Sequence, residues 1–324
     1  MNPPPLSRRH FLNTVALGTS AFAFRPRLGA AHARPPAPQL TMLNGMAGSD
    51  FEVCCRRHVE LGLKWLDLKD SLWGQTINNL SLENARRAAD LARAHGLGVA
   101  CFSTALCSSY LAEGEEGFRT RHLRTLDHVL KLAEILRPER IRLIAAMLKP
   151  FPEDGQAMAL VEREYAWVFN VYRDMIDRMV AAGQRVLIEN ETPDSIFNRP
   201  EGIVRFFRVL DRAEKVRYTW DVQNLWQMGV FPTMEVYRTL QPLIGCIHLK
   251  GGRADGEGRT LVHASALEDA SWPVAEIMRA AVADGVAPVI CLNPSHGKQP
   301  PGWKLWETTQ RDVAFLRRTL RADL

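Results

Sequence analysis

The sequence predicts an α/β fold closed as a (β/α)8 TIM barrel. Three observations carry this. Eight short apolar runs recur along the chain, amphipathic segments of helical period separate them, and 46% of residues are apolar, ample for one large core. About 290 residues beyond the N-terminal segment suit one barrel domain. Strand followed by helix, repeated eight times, implies parallel strands with right-handed crossovers. An open doubly wound sheet is the competing arrangement, but no strand-following G-x-G-x-x-G supports it.

The predicted strands are 40–43, 65–68, 98–102, 142–146, 185–188, 217–220, 245–247 and 288–292. The helix predicted over 82–95 stops at Gly96, a C-cap signal. That over 121–136 stops before Pro138, and a long one over 158–182 stops at Gly183. Further helices are expected over 202–212, 234–240, 272–283 and 305–320. Cys54 and Cys55 fall in another predicted helix, and Cys101, Cys246 and Cys291 inside strands. A buried thiol there acts as a small apolar group, and no C-x-x-C suggests a cysteine zinc site.

The first 33 residues read as an export signal. Ser7-Arg8-Arg9-His10-Phe11-Leu12 is a twin-arginine pattern, an apolar stretch follows to Phe24, and Ala31-His32-Ala33 is a cleavage signal. Cleavage is expected after Ala33, with a periplasmic or secreted product and the twin-arginine translocation machinery as a transient partner. Residues 34–39 form a proline-rich linker, and 40–324 the barrel domain. The apolar stretch is too short for a membrane span. The segment also carries Arg8, Arg9, Arg25 and Arg27 and no acid, so its loss reduces the formal charge from +5 to about +1. That argues against nucleic acid or an anionic membrane as partner.

In a parallel barrel, functional groups gather where strands end. Glu189 closes the fifth strand, Asp221 the sixth and His248 the seventh. Any one of them taken singly is equally well a capping acid or a rim histidine. Together, two carboxylates and an imidazole at equivalent positions on consecutive strands can hold a divalent cation such as Mn, Mg, Co or Zn. Lys250, two residues after His248, points to the same side and can hold a substrate oxygen. Lys69 after strand two can reach into the cup, and Gln223 and Asn224 after Asp221 are candidates to bind substrate hydroxyls. Asp67, Lys149 and the tryptophans Trp65, Trp73, Trp220 and Trp226 fall near the same rim. Gly251 to Gly258 reads as a loop that can act as a lid, with Arg253 able to meet an anionic or polyhydroxy substrate. His58, His95, His122 and His128 sit in or at the ends of helices and are assigned no chemistry.

The order E-N, D-x-x-N, H-x-K, each closing a strand, resembles the xylose-isomerase-like barrel superfamily of sugar-phosphate isomerases and epimerases. The similarity spans most of residues 40–320. It implies that Glu189, Asp221 and His248 are metal ligands, with a fourth on strand eight. There the family often reads L-E-P-x-H, and this chain reads Leu292-Asn293-Pro294-Ser295-His296. Asn293 can offer a carbonyl oxygen to a metal but cannot act as a base. The family's ketose epimerases use two glutamates on opposite faces of the substrate, so His296 is the nearest substitute for the missing one. The expected catalytic groups are therefore Glu189, His296 and Lys250.

Three functions follow. The leading one is a metal-dependent isomerase or epimerase of a sugar or keto-sugar, working by proton abstraction α to a carbonyl. The alternative is a one-base lyase or hydrolase of 3-keto-glycosides, which a single retained carboxylate and export both suit. The third is a non-catalytic sugar-binding barrel. An endonuclease IV type would need more histidine and glutamate at the rim. A small carbohydrate is the expected partner, and self-association is left open.

Overall fold

The computed structural model describes residues 37–320 apart from 153–155 and 256–257. The twin-arginine segment and its cleavage signal lie outside the described residues. The strands are β1 (Gln39–Met42), β2 (Trp65–Leu68), β3 (Gly98–Ser103), β4 (Arg140–Ile144), β5 (Arg185–Glu189), β6 (Val216–Asp221) and β7 (Ile244–Leu249), then a hairpin of β8 (Arg253–Ala254) and β9 (Leu261–His263), and β10 (Val289–Leu292). Eight of them form one parallel sheet in the order β1-β10-β7-β6-β5-β4-β3-β2. A parallel bridge between Leu43 and Asp67, and the hydroxyl of Thr41 donating to the Trp65 carbonyl at 2.8 Å, join β1 to β2 and bring the sheet round to a nearly closed barrel.

The helices lie between the strands, as the apolar periodicity requires. The helix Leu82–Ala94 starts where Ser81 accepts from the Asn84 amide, and hands over at His95 to Gly96 with φ 67°. The predicted start at 121 is late. The helix runs Gly114–Leu136, with Glu115 and Glu116 in its first turn, where acids favour the helix dipole; glycines at 114 and 117 mask that start in the sequence. The predicted 158–182 helix is two, Ala157–Glu164 and Trp167–Ala181, broken at Tyr165 and Ala166. The first packs on the helix Pro200–Leu210, while the second also packs on Gly114–Leu136 and β5, so one straight helix would not serve both.

Strand β4 begins two residues before its predicted start and so takes in Arg140 as well as Arg142. Both are buried, because each has an acid partner: Arg140 with Glu139 at 2.9 Å and Arg142 with Glu189 at 2.6 Å. The six cysteines are buried and unbridged. Cys101 and Cys246 form a small apolar cluster with Leu187 and Val289. Among the described residues no helix is long and apolar enough to cross a membrane.

Candidate functional site

The barrel directs its strand ends to one rim. Glu189 is the last residue of β5, Asp221 the last of β6, His248 sits one residue before the end of β7, and Asn293 follows β10. Registry pairs Asp221 with His248 and His248 with Cys291. Asn190 ties β5 to β6: its Oδ1 accepts from the Asp221 amide at 2.9 Å and from the Tyr218 hydroxyl at 2.6 Å, while its Nδ2 donates to the Asp221 carbonyl at 2.8 Å. Asp221 also caps the short helix Val222–Gln227, its Oδ1 accepting from the Asn224 amide at 2.9 Å. That leaves Oδ2 to face the rim.

Glu189, Asp221 and His248 are buried, and each offers one donor atom within 4.8 Å of the others. His248 Nδ1 lies 2.6 Å from Glu189 Oε1. The Asn293 amide lies 3.0 Å from His248 Nδ1 and 3.4 Å from Asp221 Oδ2. A flip of that amide, an exchange of nearly identical atoms, presents its oxygen at the same point. Two carboxylate oxygens, one imidazole nitrogen and one amide oxygen suit a divalent cation of the hard or borderline kind. Two cations flank them. Arg142 lies against Glu189 Oε2, and Lys250 Nζ sits 2.8 Å from Asp221 Oδ2 while donating to Asn224 Oδ1 at 2.6 Å.

These neighbours set the proton affinities. Burial alone would raise the Glu189 carboxyl; the Arg142 guanidinium and His248 outweigh it and hold Glu189 well below the usual carboxylate range. Burial would likewise lower His248, and the Glu189 carboxylate reverses that and raises it. A glutamate held ionised suits a ligand or an ion-pair partner better than a proton carrier. Glu191 behaves oppositely: burial, then the negative charge of Glu189, raises it. Its Oε1 accepts from Asn224 Nδ2 at 2.8 Å and from the Thr192 amide at 3.1 Å. His296 is lowered to about 4 by burial and then by Lys250, so it is a neutral imidazole near pH 7.

A cavity of about 340 Å3 stands over this cluster. Lys69, Asp70, Arg142, Glu189, Glu191, Asp221, Asn224, Lys250, Asn293 and His296 line it. Of the residues expected at the site from sequence, Gln223 and Arg253 are placed elsewhere. Gln223 acts as a strut: its Nε2 donates to the Gly251 carbonyl and to Ser295 Oγ, both at 3.0 Å, and its Oε1 accepts from the His296 amide at 2.6 Å. Arg253 is carried away by the β8–β9 hairpin and lines a separate surface cleft with His263 and Trp303. Lys149, Trp65, Trp73, Trp220 and Trp226 do not line the central cavity. Trp220 stacks on Tyr237, and Trp226 packs against Phe231 and lines a neighbouring cleft that His296 also borders. The bland histidines have bland partners, such as His58 Nδ1 on the Cys54 carbonyl at 2.7 Å.

Sequence reasoning missed Arg142 and gave Glu191 no role. Arg142 had a signal: an arginine inside a buried barrel strand needs an acid partner. Glu191 was visible beside Glu189, but nothing in spacing says which of two acids is paired.

Several solved structures share the fold. The probable 3-DHS dehydratase AsbF of Bacillus anthracis is 16% identical, with 86% of this chain and 98% of that one covered and a TM-score of 0.61. A xylose isomerase-like TIM barrel protein of Mycobacterium smegmatis, in complex with magnesium, is 16% identical over 92% and 100% of the two chains, TM-score 0.64. The 3-keto-D-glucoside 4-epimerase YcjR of E. coli is 14% identical over 87% and 99%, TM-score 0.62. No curated protein matches the sequence. A family model matches residues 55–319, and the chain belongs to that family, the xylose isomerase-like TIM barrels.

Proposed function

We propose a divalent-metal-dependent enzyme that removes the proton α to the carbonyl of a sugar or keto-sugar, in the manner of a sugar isomerase or epimerase. The observation that carries the reading is the convergence of Glu189, Asp221, His248 and Asn293 donor atoms beneath a polar cavity. Glu189, Asp221 and His248 would hold the ion, with the Asn293 carbonyl oxygen as fourth donor. A bound cation polarises the carbonyl and an adjacent hydroxyl. Solved relatives in fold that carry magnesium, epimerise a keto-glucoside or dehydrate 3-DHS fit this class of chemistry.

Within that class we favour one-base elimination from a 3-keto-glycoside. Asn293 has no proton to exchange, and Arg142 keeps Glu189 ionised. Glu191, raised by burial and unpaired with any cation, is then the proton acceptor in the cavity. It takes the α-proton, the C–H electrons form the C=C bond, the β C–O bond breaks, and the proton passes to the departing oxygen. Lys69 and Lys250 face the oxygens on which charge develops, and Asn224 orients Glu191. His296, a neutral imidazole at the same cavity, serves as the second proton group if the product is an epimer.

A binding barrel without catalysis is the second reading, favoured by the two ion pairs that already occupy Glu189 and Asp221. One experiment separates the three. Metal-loaded protein is incubated in D2O with 3-keto-glucosides and free ketoses and followed by NMR. Loss of the aglycone with formation of an enone whose α-carbon has lost its hydrogen marks the lyase, and deuterium at the α-carbon with a new epimer marks the epimerase. No reaction and no exchange with any substrate, together with no retained metal, leaves only binding. The export signal is tested by sequencing the N-terminus of protein recovered from the periplasm, with Arg34 expected first.

A further inference from the structure

Beneath His248, inside the barrel, lies a second carboxylate. Asp67 sits in β2, whose pairing with β3 shifts register between Leu66 and Asp67. Such a bulge re-aims a side chain. Asp67 is fully buried, which raises its carboxyl; Ser103 and Cys291 are its polar neighbours, but neither carboxylate oxygen makes a hydrogen bond of good geometry. His248 Nε2, also buried, makes none either. The two face each other: His248 Nε2 is 3.9 Å from Asp67 Oδ2, while Nδ1 on the other edge of the ring lies against Glu189 at 2.6 Å.

A buried carboxylate without a well-formed hydrogen bond is costly. Such a group persists where it serves something else, and the group across from it is the unpaired imidazole edge. About 1 Å of ring movement closes the gap to a hydrogen bond. A histidine that binds a metal through one nitrogen commonly donates its other N–H to a carboxylate, which fixes the ring and its tautomer.

We propose that Asp67 is a positioning residue for His248: it accepts the Nε2–H and so turns Nδ1 toward Glu189, Asp221 and Asn293. The proposal rests on the reading of His248 as part of the metal centre. A second cation held by Asp67, His248 and Cys291 is the competing use of the same atoms, which lie within 4.8 Å of one another. The Arg142 guanidinium, which presents positive charge to Asp67, opposes it.

The test uses cobalt(II) as the probe on the full protein, with Asp67→Ala, Asp67→Asn and His248→Ala. Titration followed by calorimetry and visible absorption gives affinity and stoichiometry. Asp67→Ala is expected to weaken binding by roughly 10- to 100-fold with one ion per chain retained. Asp67→Asn, whose amide oxygen still accepts, is expected to recover part of that loss. In metal-free protein labelled with 15N-histidine, the His248 Nε2–H resonance is expected downfield, moving upfield in Asp67→Ala and less far in Asp67→Asn. Unchanged affinity and an unmoved resonance in Asp67→Ala overturn the proposal. So do two cobalt ions per wild-type chain with one lost in Asp67→Ala, which would make Asp67 a ligand. If wild type binds no cobalt that His248→Ala abolishes, the metal-centre reading fails, and the resonance in metal-free protein still decides the role of Asp67.

Discussion

Replacing Arg142 by methionine removes one half of a buried ion pair and keeps most of the volume. The guanidinium is 2.6 Å from Glu189 Oε2, and both side chains are 3% exposed. Breaking such a pair from one side typically costs about 3–5 kcal/mol, because the remaining charge stays buried. His248 remains on the other oxygen of Glu189 at 2.6 Å, so the low end, about 3 kcal/mol, is expected. For a domain of this size that lowers Tm by roughly 6–12 °C. The pH dependence has a definite sign. In wild type the Glu189 pKa is depressed, so its stabilisation is present above the ordinary carboxylate range and is lost only as pH falls through the lower folded value. Without Arg142, burial is less opposed and the folded pKa rises, so the charge costs stability at neutral pH. The gap between the two proteins is therefore widest near pH 7 and narrows as the medium is acidified below the carboxylate range. A divalent cation replaces the missing positive charge, so added manganese raises Tm more in the variant than in wild type. Calorimetry at several pH values, with and without manganese, reads all three. A variant within about 1 kcal/mol of wild type at pH 7, a range usual for exposed pairs, or a gap that does not narrow in acid, would refute the reasoning.

Two further outcomes are expected. Asn293→Glu adds a carboxylate beside His248 and should tighten manganese binding at least tenfold, about 1.4 kcal/mol, in a competition titration; unchanged affinity would show that position 293 faces no cation. His122 is buried, accepts from the Cys107 amide at 3.1 Å, and is lowered to about 4 by burial, with Arg121 adding to it. The unfolded chain then binds a proton that the folded one refuses between about pH 6.5 and 4, so this group costs about 2 kcal/mol on going from pH 7 to 4.5. Asp312, raised to about 7 by burial, contributes with the opposite sign over the same window. Urea unfolding of wild type against His122→Gln isolates the histidine: the two should diverge from parallel by that amount, and parallel curves would contradict the assignment.

The fold was legible because periodicity reports it directly. Each apolar run that ends in Glu189, Asp221 or His248 does form a barrel strand, and parallel strands carry their ends to one rim without further information. What spacing does not report is where adjacent side chains go once the strand stops. Gln223 and Asn224 follow Asp221 as neighbours, yet a helix begins at Val222 and turns successive residues by about 100°. Asn224 therefore meets Lys250 and Glu191 in the cavity, while Gln223 points sideways and clamps Gly251 and Ser295. Arg253 was misjudged for a similar reason. A Cβ on Gly251 would collide with the Ser265 carbonyl oxygen, and Gly252 takes φ +109°, so the backbone passes tightly here and leaves the rim before Arg253 is reached.

The charge pattern of the site was the least legible part, and it bears most on the chemistry. Asn293 alone could be read from sequence as the loss of one proton-carrying carboxylate. An arginine inside a strand calls for a buried acid, but nothing in Arg140-Ile141-Arg142 said that the second arginine's partner would be Glu189. With both observations, each half of a two-glutamate proton exchange is weakened by a different means: one residue has no exchangeable proton, and the other is held ionised across the working pH range. A site so altered, if it turns over substrate, needs a proton carrier that is not itself a ligand. Glu191 meets that requirement because the burial and the neighbouring Glu189 charge that raise it spring from the same strand end that supplies the proposed ligand. Burial and the Glu189 charge raise Glu191 against the opposing positive charges of Lys250 and Arg142, and so leave it the better base of the two glutamates.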